Sequence, residues 1–304
     1  MKKLHYFLLA LVSITIFSCQ DDSIQKEDLN DNQKELIIDE ALQATIVEDL
    51  LADIDIYSAL GEELKSAEIT GGCPMITIEK PGSAPFWPRK ITLDFGDGCD
   101  KRGKMKSGKM IIEKSGPWHE VGSIRRISFE NYKVEGTSIG GVKEIENITE
   151  KDGNPTFLIE AELEMAWVKN DTLNITVTRK ISKTQEWITG FRNKDEGRKV
   201  VINGDVEVVK TVNGEVKTIE KSLNEITIAA GCRFPQSGIT EFEVVTFDDL
   251  ELEFSLDYGT EGEASEKCKE NCDCIATLSW DDNSENIDLS AKWWKKARET
   301  KGDN

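Results

Sequence analysis

The stretch ITLDFGDGC at residues 91–99 sets two aspartates and two glycines side by side and ends on a cysteine, and a partial echo, FSLDYGTEG, occupies residues 254–262. Several chemistries could use Asp94, Gly96, Asp97 and Gly98. An EF-hand loop starting at Asp94 needs oxygen ligands at its third and fifth positions and a glutamate at its twelfth. Gly96, Gly98 and Met105 stand there instead, which leaves only a looser calcium site built from Asp94, Asp97 and Asp100. A phosphate loop needs a Gly-Lys-Ser/Thr ending and a following helix, and a kinase-type Asp-Phe-Gly needs companion motifs; the chain has neither. A turn uses the same residues more fully. Asp94 at a strand end can accept turn amides, Gly96 and Gly98 supply positive φ, and Asp97-Gly98 is a hairpin pair. The expectation is a structural turn, with calcium as its one chemical rival and no other cofactor.

Nucleophilic catalysis has little to work with. Of the two histidines, His5 lies in the N-terminal stretch read below as a signal, so any Ser-His-Asp or Cys-His device would have to use His119 in the turn-like SGPWHE. A solvated loop histidine is the simpler reading. Acidic pairs are uninformative: with 57 Asp and Glu, some carboxylates must lie at glycosidase spacing by chance. Trp87 in APFWP and Trp118 in GPWH stand beside turns and could stack on sugars, although burial is the commoner use of tryptophan. Lys101, Arg102, Lys104, Lys106 and Lys109 make a basic ribbon that could meet acidic glycans or lipopolysaccharide phosphate, or simply lie solvated along a hairpin.

These residues need a scaffold and an address. The start MKKLHYFLLALVSITIFSC has two lysines, an apolar run over residues 6–17 and then Ser18-Cys19. That run is too short to span a bilayer and reads as a secretory signal. Its end, IFSC, resembles a bacterial lipobox, which implies removal of residues 1–18 and acylation of Cys19. At roughly 0.8 kcal/mol per buried methylene, two or three acyl chains make a durable membrane anchor. The following QDDS resembles the surface-export signal of Bacteroidota lipoproteins, implying an outer-membrane protein facing the cell exterior. The chain carries 38 Lys and Arg against 57 Asp and Glu, a formal charge of −19. Loss of Lys2 and Lys3 makes it still more acidic, which disfavours nucleic acid as a partner.

Beyond Cys19 six cysteines remain: Cys73, Cys99, Cys232, Cys268, Cys272 and Cys274. An even number in an exported chain points to disulfides, with fifteen connectivities open. The first two stand alone in the N-terminal half and are expected to pair. The preferred set for the rest joins Cys232 to Cys272 and Cys268 to Cys274. A thiolate metal site in CKENCDC lacks the paired C-x2-C spacing of structural zinc.

Residues 19–33 read as a lipidated, polar tether. Over residues 34–69 Ile38, Leu42, Ile46, Leu50, Ile54, Tyr57, Leu60 and Leu64 recur at helical intervals, predicting an amphipathic helical segment whose stripe packs on the body that follows. After TGGCP the period becomes two. Runs such as KITLDF, RISFENYKV and TFLIEAELEMAW predict strands, and VNGEV at residues 212–216 predicts a tight hairpin. Glu160, Glu162 and Glu164 alternate with Ile159, Ala161, Leu163 and Met165, so one sheet face meets water and the other a core. The predicted fold is mainly β: an antiparallel β-sandwich or barrel-like sheets. The order cysteine, strand, Asp-aromatic-Gly, cysteine occurs twice, predicting two degenerate repeats at residues 70–182 and 183–304.

DFGDG resembles the strand-to-turn motif of polycystic-kidney-disease-type Ig-like repeats over about five residues. A broader likeness covers most of residues 73–280: CPMITIE, KITLDFGDGC, RGKMKSGKMII, FENYKVEG, KTQEWITG and the late LDYG stand in the order found in a family of uncharacterised Bacteroidota surface lipoproteins. The chain departs from it in TEGEASEKCKENCDC. The resemblance implies an address and an architecture, and no activity. The expected function is therefore that of a non-catalytic envelope lipoprotein binding a glycan, a protein or another envelope component. The alternatives are a carbohydrate-active hydrolase with paired carboxylates, and an envelope scaffold or inhibitor without a small ligand.

Overall fold

The computed structural model describes residues 68–69, 72–80, 86–101, 104–169, 172–191, 197–232, 234–245, 251–259, 268 and 272–290. The expected signal sequence, Cys19, the expected tether and all but the end of the expected helical segment lie outside the described residues. That end is not helical: Glu68–Ile69 form the first strand.

Among the described residues every regular element is a strand. In chain order they are β1 (Glu68–Ile69), β2 (Met75–Glu79), β3 (Arg89–Asp94), β4 (Cys99–Lys101), β5 (Lys104–Lys114), β6 (Ile124–Val134), β7 (Thr137–Asn147) and β8 (Thr156–Lys169). There follow β9 (Leu173–Thr189), β10 (Lys199–Val212), β11 (Glu215–Ala229), β12 (Ser237–Val245), β13 (Glu251–Tyr258), β14 (Ile275–Trp280) and β15 (Asn283–Asp288). They make one antiparallel sheet in which each strand pairs with its chain neighbours, except that β4 pairs only β5 and β3 reaches past it to β5. This is a meander, the topology with the shortest connections. The β10–β11 turn is the one expected from VNGEV: Asn213 (φ 50°) and Gly214 (φ 93°) both take the positive φ of a tight hairpin.

Period-two alternation sorts each strand into a wet and a dry side. In β8 Phe157, Ile159, Leu163 and Met165 are buried, while Glu160, Glu162 and Glu164 are exposed. The dry positions of the other strands add to the same core, which runs without a break from Ile76 in β2 to Leu289 after β15. Disulfides join Cys73 to Cys99, Cys232 to Cys272 and Cys268 to Cys274, the pairs preferred from the cysteine order.

The antiparallel β class is as expected, but the arrangement is a continuous sheet. The boundary placed at residues 182/183 falls inside β9, where Ile181 pairs both Ala161 and Val206 and Lys183 pairs both Ile159 and Gly204. Backbone pairing crosses that point on both sides, so the sheet has no seam there. Since Leu163 is 1% exposed at the middle of the dry face, Leu163→Ala should cost about 3 kcal/mol in urea unfolding, against under about 0.5 kcal/mol for Glu162→Ala next to it.

Candidate functional site

The Asp94 turn is spent on structure. Asp94 ends β3, and its Oδ1 accepts the Gly96 amide at 2.8 Å, while Oδ2 lies 3.3 Å from Lys109 Nζ. The amide bond, reinforced by Lys109, holds the carboxyl below the usual aspartate range. Gly96 adopts φ 59° and receives at its carbonyl the Gly108 amide at 2.9 Å, so the loop is stitched to the β5 bulge. Phe95 drops its ring into the core, 5.5 Å from Tyr132. Asp97 and Asp100 are exposed, and among the described residues no three His, Cys, Asp or Glu side chains converge as a metal cluster. The echo keeps part of this pattern. Tyr258, buried, ends β13 one residue beyond Asp257, and Gly259 takes φ 86°. Burial pushes the Tyr258 phenol up to about 12, partly opposed by its hydrogen bond with Thr240. His119 is exposed in the turn after Pro117.

The unexpected chemistry lies on the dry face. Arg89, Lys106, Lys114, Arg125, Lys143, Arg179 and Lys221 are each less than a tenth exposed, and among the described residues no Asp or Glu is buried with them. Three of these cations stand directly opposite one another across β3, β5 and β6: Arg89 pairs Lys114, and Lys114 pairs Arg125. Like charges facing across strands destabilise a sheet, and removing a cation from water costs several kcal/mol.

Aromatic rings offset part of that cost. The Arg125 guanidinium sits 3.5 Å from the centre of the Trp118 ring. Arg89 and Lys114 lie 4.8 and 5.8 Å from Trp87, and Lys221 lies 5.3 Å from Phe242. A desolvated contact of this kind returns up to about 2 kcal/mol, so the rings alone do not balance the desolvation of seven cations.

Both tryptophans singled out in the sequence therefore meet at the cationic end, with different fates. Trp118 is a filling: Phe157 stacks on it at 4.1 Å and 8°, Arg125 lies over its ring, and Asn147 Nδ2 donates to its carbonyl at 2.9 Å. Trp87 is half-buried beside Phe86, which is 55% exposed. The basic ribbon divides by strand parity. Lys106 turns inward, 5.9 Å from the Phe95 ring, and Lys109 stays outside with Asp94.

The wet face is acidic. Over β11 to β14 it forms an open groove of about 450 Å³ lined by Glu220, Glu241, Glu243 and Glu253, with Ser222 and Ser255 between them. Glu220 stands opposite Glu243, and Glu243 opposite Glu253. All four carboxylates are exposed. Elsewhere on this face Lys180 pairs Glu207 at 3.1 Å and Arg126 pairs Glu144.

Strand parity could have located the inward cations. Arg89 is in step with Ile91 and Leu93, Lys114 with Met110 and Ile112, and Arg179 with Ile175 and Val177. The assumption that charge faces water hid them. No family model matches the chain, and no curated protein or solved structure proves similar to it.

The Asp94 geometry fixes the sign of a pH effect. Its carboxylate stabilises the fold at neutral pH, because it is ionised and bonded there. Below about pH 4 the unfolded chain takes up the proton first, since the folded carboxyl titrates lower than 3.8, and that contribution is lost. Asp94→Asn should lower neutral-pH stability by about 1 kcal/mol and flatten the acid limb of a stability–pH profile. A calcium titration that raises the melting temperature of the wild type but not of Asp94→Asn would show instead that the turn is a metal site.

Proposed function

We propose that this protein is a lipid-anchored, outward-facing envelope lipoprotein whose sheet is a non-catalytic binding module for an anionic glycan. The address rests on the apolar leader, the IFSC end, Cys19 and the acidic QDDS that follows. Three disulfides fit an oxidising compartment. The two Asp-aromatic-Gly turns, each beside a disulfide, are read as remnants of a duplication.

One observation carries the ligand class: exposed Phe86 and half-buried Trp87 stand at the end of the sheet where Arg89 and Lys114 lie within 6 Å of the Trp87 ring. An aromatic face takes the apolar side of a sugar ring, and the positive field of buried Arg89 and Lys114 behind it favours a carboxylate or sulfate on that sugar. A neutral sugar would use half of that pairing. The hydrolase alternative would use the carboxylates of the wet groove. They are exposed in an open trough, where nothing excludes water from a reacting bond, and this favours binding over hydrolysis.

Glycan-array screening with uronic-acid, sulfated and neutral oligosaccharides tests the reading. Binding should be confined to the acidic sugars, and Trp87→Ala should weaken it at least tenfold. Trp118→Ala should instead cost about 3 kcal/mol of stability, because its ring is packed between Phe157 and Arg125. No binding by any acidic glycan, or binding indifferent to Trp87→Ala, overturns the proposal.

A further inference from the structure

The Trp87 rim is one of three similar pairings. A guanidinium lies against each of three tryptophans: Arg89 at 4.8 Å from Trp87, Arg125 at 3.5 Å from Trp118 and Arg198 at 5.5 Å from Trp187. In the sequence they stand far apart, just before β3, between β5 and β6, and near the end of β9. Strand pairing brings them to one end of the sheet.

The row that starts at Arg89 runs through Lys114, Arg125, Ile145 and Ile159 to Lys183 in β9. Trp87 stands two residues before Arg89, and Trp187 four residues after Lys183. Because β3 and β9 run in opposite directions, both tryptophans lie beyond that row at the same end. Trp187 also shares strand parity with inward Val177 and Arg179, and it packs against the core. Five strand steps of about 4.8 Å separate β3 from β9, so the two rings lie about 24 Å apart measured along the sheet.

The ring between them is spent on packing. Trp118 stacks flat on Phe157 at 4.1 Å, Phe157 meets Phe191 at 5.5 Å, and Phe191 meets Trp187 at 5.4 Å. Trp187 differs from Trp118 in its surroundings: it is half-buried, and Phe191 meets it at 67° instead of lying flat on it. Its arginine differs from Arg89 and Arg125 as well, for Arg198 is exposed, as is Lys199 beside it. An exposed guanidinium can bond a carboxylate or sulfate directly, whereas buried Arg89 acts on a ligand through its field.

We propose that Trp187 and Arg198 form a second subsite at the end of the sheet that carries Phe86 and Trp87, so that the ligand is an acidic oligosaccharide long enough to reach both. The inference rests on the glycan reading and adds to it a minimum chain length and a direct anion contact. Two modest contacts on one chain reinforce each other, because the second forms within a complex already made. A disaccharide is too short to gain from this.

Calorimetric titration of the full chain in detergent with oligogalacturonate and heparin fragments, each as disaccharide and octasaccharide, tests it. The octasaccharide should bind at least tenfold more tightly than the disaccharide of the same series. Trp187→Ala and Arg198→Gln should each weaken the octasaccharide at least tenfold, while Lys180→Gln on the wet face leaves it unchanged. Should Trp187→Ala fail to fold, Arg198→Gln decides, since its side chain is exposed and its loss should leave the melting temperature unchanged. Octasaccharide binding that depends on Trp87 but is indifferent to Arg198→Gln and to any folded Trp187 variant overturns the second subsite and leaves the glycan reading standing. Equal affinity for the two chain lengths overturns it in the same way. No binding of either octasaccharide overturns both.

Discussion

The constraint on which the rest depends is charge segregation across a single sheet. Seven buried cations share the dry face with the apolar core, and the carboxylates of β8 and β11 to β13 line the wet one. Burying like charges in register costs free energy that apolar burial does not return by itself. Arg89, Lys114 and Arg125 bear this most sharply, being consecutive across three strands. Trp87 and Trp118 set their polarisable faces against those cations.

Segregation also shapes the wet face. Acidic outward ladders such as Glu220, Glu243 and Glu253 repel one another across the strands, and they equally repel a second copy of the sheet. On a long meander with exposed edges such repulsion discourages edge-to-edge pairing. The same charge that weakens each pair of strands locally repels a second copy of the protein.

Much of this was legible in the sequence. Alternation found the strands, Asn-Gly found the β10–β11 hairpin, cysteine order matched all three disulfides, and Asp94 and Gly96 take the turn geometry their residue types suggest. Two things were hidden. The repeat of cysteine and Asp-aromatic-Gly suggested two units, but such motifs sit at strand ends and carry no information on pairing, and β9 runs through the expected boundary with partners on both sides. The inward cations were missed because charge was assigned to water by type instead of by parity. Lys106 shows the error most plainly: it lies three residues from Lys109 in one basic ribbon, yet the two side chains end on opposite faces. Only pairing of the strands tells which members of a ribbon leave the solvent.

Amine reactivity measures the segregation most directly. Under limited reductive methylation of the folded chain, Lys114, Lys143 and Lys221 should be modified at least tenfold more slowly than Lys109 and Lys180, whose side chains are 44% and 57% exposed. All five should react alike after unfolding in denaturant. Equal rates for the two groups in the folded protein would contradict the account, because they would place the inward lysines in water and leave the dry face without the charge that organises it.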